Sequence, residues 1–189
     1  MNALVHRPTL LSRCSLCLLL LVLSAAGCTS EETTEFVTGN TCETNAPMLD
    51  FTLDDCEGTP RSLSDLAGSK ATLISIGAGW CGPCRDKQPE LQRLHDTYSG
   101  CGLRLVTLLF ESNMPAQPAT KTFCKSWDAQ YQQPFPTIVD PLSSVSEPCR
   151  NNQAVPITLV LDESGTVVYK AHGLLEDTEA VIQSLTGCQ

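Results

Sequence analysis

The chain has 189 residues, enough for one domain of ordinary size with a core of its own. Its 42% hydrophobic and 17% charged content fits a globular protein. A formal net charge of −9 excludes a surface built for nucleic acid.

The first stretch, "MNALVHRPTLLSRCSLCLLLLVLSAAGC", has a basic start, an apolar run from Cys14 to Leu23 and small residues before Cys28. That is the layout of a secretory signal, and the run is too short to cross a bilayer, which takes about 20 apolar residues. "SAAGC" resembles a bacterial lipobox, although Ala25 stands where the usual leucine would, with Leu23 two positions further back. The resemblance implies a signal peptide over residues 1–27 and a lipid anchor on Cys28; the alternative is ordinary cleavage near Ala26. Loss of Arg7 and Arg13 with the leader leaves 10 basic against 21 acidic residues, a net of −11. Cys14 and Cys17 leave with it too, so nine of the eleven cysteines remain, eight if Cys28 is lipidated. An even set in an exported chain points to disulfides and an oxidising compartment.

Residues 28–46 are rich in Thr and Glu and read as a flexible tether. Its eighteen residues beyond Cys28 would span roughly 25 Å, enough to hold a domain clear of a lipid surface. The domain is expected over 47–189. "MLDFTLDDCEGTPRSL" alternates around a turn with Gly58 and Pro60, which suggests a hairpin. "ATLISIG" reads as a buried strand, and a helix follows with Leu91, Leu94 and Tyr98 on one face, stopped by "SGCG". "LRLVTLLF" is a second strand, "QPATKTFCKSWDAQY" a helix and "FPTIVD" a short extended piece. "PITLVLDESGTVVYKAHG" turns as a hairpin at Glu163–Gly165, and "EDTEAVIQSL" closes as a helix. This order predicts an α/β fold with a mixed central sheet flanked by helices.

The chemistry concentrates in "WCGPC", which follows the first buried strand and opens a helix. Cys81 and Cys84 could form a reactive dithiol, half of a zinc site or a structural staple. Zinc needs a second ligand pair, and the other Cys-x-x-Cys lies in the leader, so no metal is expected. At the helix entrance Cys81 faces unpaired backbone N–H groups and the positive dipole end, which favour a thiolate. Cys84 lies one turn further in, behind Gly82 and Pro83. Cys81 is therefore the expected nucleophile and Cys84 the resolving thiol.

With its strand before and helix after, "WCGPC" resembles the active site of thioredoxins. Pro89 matches that family's helix-kinking proline, and "AVPITLVLDESGTVV" resembles the segment with its cis-proline, which makes Pro156, after Val155, the candidate. "FTLDDCEGTPRSLSDLAGSK" and the insertion ending in "FPTIVD" are similar to the TlpA/ResA branch of membrane-tethered bacterial thioredoxins. The resemblance implies a thioredoxin fold with an N-terminal β-hairpin and an insertion before the cis-proline hairpin. It implies a thiol–disulfide oxidoreductase without cofactor, a monomer, facing the periplasm or exterior. Its partners would be disulfide-containing exported proteins and a membrane electron donor. Gly82-Pro83 resembles reducing thioredoxins, and cytochrome c maturation is among the branch's tasks. Oxidase or isomerase work, and a non-catalytic binding lipoprotein on the same scaffold, are the competing readings. Trp80 is expected to cover the dithiol.

Two departures bear on mechanism. Where thioredoxins bury an aspartate beneath the dithiol, this chain has Ser75, and Glu111 matches a glutamate of the ResA branch that could assist deprotonation of Cys84. His95 and His172 lack a partner motif and read as surface or packing residues. The peroxidatic Pro-x-x-x-Thr-x-x-Cys is absent. Thioredoxin topology sends the helix after Cys84 and the closing helix down one face, which brings Cys101 to Cys188. The leftover pairs are then expected as Cys124–Cys149 and Cys42–Cys56.

Overall fold

The computed structural model describes residues 34–173 and 177–188. The leader over 1–27, the lipidation candidate Cys28 and the first part of the expected tether lie outside those residues. The elements run β1 (Thr52–Asp55), β2 (Pro60–Ser62), α1 (Leu63–Leu66), β3 (Ala71–Ala78), α2 (Gly82–Asp86), α3 (Gln88–Tyr98), β4 (Leu103–Glu111), α4 (Lys121–Tyr131), β5 (Thr137–Val139), α5 (Ser146–Arg150), β6 (Ile157–Asp162), β7 (Val167–His172) and α6 (Thr178–Thr186).

They build one seven-stranded sheet in the order β2-β1-β5-β4-β3-β6-β7. β3, β4 and β5 are parallel, while β6, β7, β1 and β2 join antiparallel. β3 lies between β4 and β6 and is buried at all eight positions, so its mostly apolar sequence, broken only by Thr72 and Ser75, shows no strict alternation. Each face still has its own set of side chains, because successive Cβ atoms point to opposite sides. Ile74, Ile76, Val106, Leu108, Leu159 and Leu161 share one core with Leu63 and Leu66 of α1 and Cys149 of α5. Leu73, Leu105 and Val160 face the other way, against Leu91, Leu94 and Tyr98 of α3 and Ile182 of α6. α4 covers the same side, with Cys124 and Trp127 packed on Leu109 and Val139.

The expected hairpin forms between β1 and β2. Its turn is held by Asp55, whose Oδ1 accepts from the backbone N–H groups of Glu57 (3.0 Å) and Thr59 (2.8 Å), and Gly58 takes φ +88°. The β6–β7 turn uses the same device: Asp162 Oδ1 accepts from Ser164 N at 2.9 Å and Thr166 N at 3.0 Å. α1 and α5 are additions to the expected elements. They have four and five residues, too few to show a helical period in the sequence.

Residues 37–46, expected to be part of a flexible tether, are docked on the domain. From Val37 on, the chain is tied to the domain: Val37 N donates to Ser164 O (2.7 Å), Gly39 N to Met48 O (2.6 Å) and Asn45 N to Val167 O (2.8 Å). Phe36 packs on the core and Cys42 is 2% exposed. Polar composition over residues 34–46 hid these anchors, since one aromatic, one cysteine and a set of backbone bonds suffice to dock a short segment.

The disulfides also correct an expectation. Cys101 and Cys188 are bonded, with Cα atoms 6.3 Å apart. The other two bridges are Cys42–Cys149 and Cys56–Cys124, with Cα separations of 5.0 and 5.2 Å, in place of Cys42–Cys56 and Cys124–Cys149. The reason is topological. Cys124 on α4 and Cys149 on α5 belong to cores on opposite faces of the sheet, so the sheet itself keeps them apart. Cys56 pins the β1–β2 turn to α4, and Cys42 pins the N-terminal segment to α5. Among the described residues no helix is long and apolar enough to cross a membrane.

Candidate active site

β3 delivers the chain to the site at the carboxyl end of the parallel strands. Beyond it, Gly79 N donates to Glu111 O and Trp80 N to Ser112 O, both at 3.0 Å, which clamps the entering loop against the end of β4. Gly79 has to be glycine, because a Cβ there would lie 2.3 Å from Phe123 Cζ and 2.8 Å from the Ser112 backbone. Cys81 is the N-cap of α2. Its Sγ accepts the Cys84 backbone N–H at 3.1 Å, the bond a capping oxygen would otherwise make. Pro83 fits the first helical turn, where an N–H has no helical partner to lose. The structure joins Cys81 to Cys84 as a disulfide, with Cα atoms 5.2 Å apart.

The Val155–Pro156 peptide is cis and stands against this dithiol, with Val155 O 3.7 Å from Cys81 Sγ. Proline puts no N–H at that point, so nothing from the loop competes for the sulfur. Trp80 and Val155 are half-buried beside the cysteines. Glu111, at the end of β4, accepts the Trp80 indole N–H on Oε2 at 2.5 Å. The carboxylate expected to serve Cys84 thus has the tryptophan as its partner, and it fixes the ring's orientation. Ser75 is buried on β3 at 2% exposure. His95 stacks on Phe135 with centroids 5.6 Å apart, and His172 Nδ1 lies 3.5 Å from Ala154 O, both in packing roles.

The helix after the motif divides at Lys87, which ends α2 and caps α3. Pro89 has no N–H to offer the carbonyl of Arg85, and the ladder breaks there. Two residues at this break were not singled out in the sequence. Gln88 Nε2 donates to Cys84 O at 2.6 Å, and Gln88 Oε1 accepts from Gln133 of the α4–β5 connection. Lys87 is 3% exposed. With no partner for its Nζ among the described residues, burial alone pushes its pKa down to about 7. The available signal was the spacing Cys84, Lys87, Gln88, Leu91, which puts both polar residues on the inward stripe.

Residues 44–170 match the AhpC/TSA family. The chain belongs to that family. Within it, the chain is 30% identical over 118 residues to the thioredoxin-like protein YneN of Bacillus subtilis, a match covering 62% of this chain and 65%, just under two thirds, of that protein. It is 27% identical over 138 residues to the thiol-disulfide oxidoreductase ResA of Bacillus cereus, covering 72% of this chain and 75% of that one. A crystal structure of a candidate thiol:disulfide interchange protein DsbE from Chlorobium tepidum superposes with a TM-score of 0.63 at 22% identity, over 81% of this chain and all of that one. The chain is a TlpA/ResA-like member of the thioredoxin superfamily, with the thioredoxin fold and a thiol–disulfide oxidoreductase's relatives.

Proposed function

We propose that this chain is a tethered reductant of disulfides in exported proteins, working outside the cytoplasm through Cys81 and Cys84. The observation that carries the reading is the position of Cys81 Sγ, which takes the Cys84 N–H at 3.1 Å at the mouth of a helix and faces the cis-Pro156 loop. A thiolate there is stabilised by the backbone N–H and by the helix dipole. In the reduced protein Cys81 attacks a substrate sulfur and forms a mixed disulfide. Cys84 then attacks Cys81 Sγ, the substrate leaves as a thiol, and the Cys81–Cys84 bond closes. Trp80, held by Glu111, covers the pair, and Val155 and Pro156 offer the edge on which the substrate backbone lies. Gly82 and Pro83 set the spacing.

The leader ending at Cys28 supports export and a lipid anchor, and three bridges beside the dithiol support an oxidising compartment. A membrane electron donor would return the dithiol to its reduced form, and apocytochrome c is one substrate that such a reductant serves. The test is insulin reduction by dithiothreitol, with the mature protein against Cys81→Ser. Catalysis that survives the substitution refutes the reading.

A further inference from the structure

The face of the sheet that the dithiol helix covers carries a row of hydroxyls where a core would be apolar. Thr137, Thr107, Ser75 and Thr158 are register partners across β5, β4, β3 and β6. All four lie on the side of Leu73, Leu105 and Val160, and all are 2% exposed or less. Thr137 Oγ1 bonds Asp128 and Gln133. Thr107 Oγ1 and Thr158 Oγ1 have no partner among the described residues, and neither has Thr178 Oγ1 at the start of α6. Packing fixes the depth of this row. One residue pair nearer the strand end, a Cβ on Gly77 would meet Cys84 Sγ at 3.0 Å. One pair further in, Leu73 and Leu105 share a core with Leu91. Between Cys84 and Leu91 the inward stripe of the helix holds Lys87 and Gln88. Gln88 is already bonded to Cys84 O and Gln133. The helix spacing places Lys87 over the row, one turn beyond the resolving cysteine, with its buried Nζ bonded neither to these hydroxyls nor to Cys84 Sγ.

Hydroxyl lone pairs without donors are what an ammonium needs when it forms in a dry interior. An ordinary core would hold neither group. Resting on the reading of Cys84 as the resolving thiol, we propose that Lys87 is the proton acceptor for Cys84, doing from the helix what a buried carboxylate at position 75 would do from the strand. The step balances. In the mixed disulfide, Cys84 S–H gives its proton to Lys87 Nζ, and the Cys84 thiolate attacks Cys81 Sγ. The sulfur bond between Cys81 and the substrate breaks as the Cys81–Cys84 bond forms, and the substrate leaves as a thiolate that water protonates. Lys87 then releases its proton, because burial holds the amine near 7.

The surroundings leave the amine free for this exchange. The sheet rows beneath it hold hydroxyl and apolar side chains. On its own helix Arg85 and Asp86 are exposed, and Glu90 pairs with Arg93. On α6, Glu179 is engaged by Arg93 and Tyr98. On α4, Asp128 is taken up by Thr137, and Tyr131 lies towards Arg85 and Asp86.

Stopped-flow oxidation of the reduced protein by dithiobis(nitrobenzoate) separates the two chemical steps. The first nitrothiobenzoate reports attack by Cys81, and the second, concentration-independent release reports resolution by Cys84. In Lys87→Met the second release should slow by about 10²-fold near neutral pH and climb tenfold per pH unit towards the thiol's own pKa, with the first release within about threefold of the parent. Lys87→Arg should be slow as well, since a guanidinium keeps the charge but accepts no proton. A second release unchanged in Lys87→Met, or at the parent rate in Lys87→Arg, overturns the proposal. Independently of any variant, the ε-carbon resonance of Lys87 in the oxidised protein should titrate near 7; titration near the ordinary lysine value overturns it too. If the parent protein itself shows no second release, the dithiol reading fails, and that outcome is distinct from a parent that resolves at the rate of its Lys87→Met variant.

Discussion

Replacing Lys87 by methionine should make the oxidised protein more stable, by an amount that depends on pH. Lys87 is 3% exposed, and its pKa is moved from 10.5 to about 7 by desolvation. In the unfolded chain the proton stays on until the pH reaches 10.5; in the folded protein it leaves above about 7. Between those values the unfolded state binds more protons, so native stability rises with pH, and below about 7 the full cost of the buried ammonium is present. At 1.36 kcal/mol per pKa unit the cost is about 5 kcal/mol. Methionine has nearly the same length and carries no proton, so it removes this dependence. The assay is guanidinium unfolding of the parent and Lys87→Met, both fully oxidised, at about pH 6 and about pH 10, where the difference isolates one titration. The variant should lead by most of that cost at the lower pH, with the lead shrinking by about 4 kcal/mol at the higher. A difference that stays flat with pH would refute the argument, because it would mean that folding leaves the amine's affinity for protons unchanged.

Brief alkylation of the reduced protein at neutral pH should label Cys81 well before Cys84, as peptide mass spectrometry would show; equal labelling would remove the helix-mouth argument. Glu111→Gln keeps an acceptor for the Trp80 indole, so resolution should change by less than about threefold, far below the effect of general acid–base loss. Glu111→Leu should instead alter Trp80 fluorescence and slow attack on protein substrates; a normal rate would detach the carboxylate from function. Removing the Cys101–Cys188 bridge with paired alanines opens a loop with a sequence separation of 87, for which the chain-entropy model gives a loss of about 4–5 kcal/mol in guanidinium unfolding. A loss below about 1 kcal/mol would show that the unfolded chain is restrained by other means.

Local signals carried much of the fold into the sequence. The buried run of β3, the Leu91–Leu94–Tyr98 stripe and the two aspartate-and-glycine turns can each be read within a short window. Even the bridge from Cys101 to Cys188 followed from the direction of two helices on one face. What stayed hidden depends on which face an element covers. α4 and α5 are separated by one short strand, yet they pack on opposite sides of the sheet, and no local pattern says so. That is why Cys124 and Cys149 looked like natural partners. The site divides along the same line. Cys81 and Cys84 announce themselves by spacing, and Pro156 by its family context. Lys87 carries a charge in a charged stretch, "CRDKQPE", which masks the spacing that sets it on the inward stripe with Cys84 and Leu91. The partner of Glu111 was hidden because Trp80, 31 residues earlier, meets it across neighbouring strand ends.

Three bridges share a molecule with a dithiol proposed to break such bonds, so the architecture has to protect the protein from its own kind. Cys42, Cys56, Cys124 and Cys149 are each 2% exposed or less. A thiolate must approach a sulfur along the line of the bond it breaks, and a buried bridge offers no such line to a neighbouring copy. The bridge between Cys101 and Cys188 is half-exposed at the far end of the 11-residue α3. Of the three it is the one that a crowded array of reduced copies could open. Opening it would free the end of α6 and leave the dithiol end stapled, so damage by self-reduction would begin at the part of the molecule furthest from the chemistry.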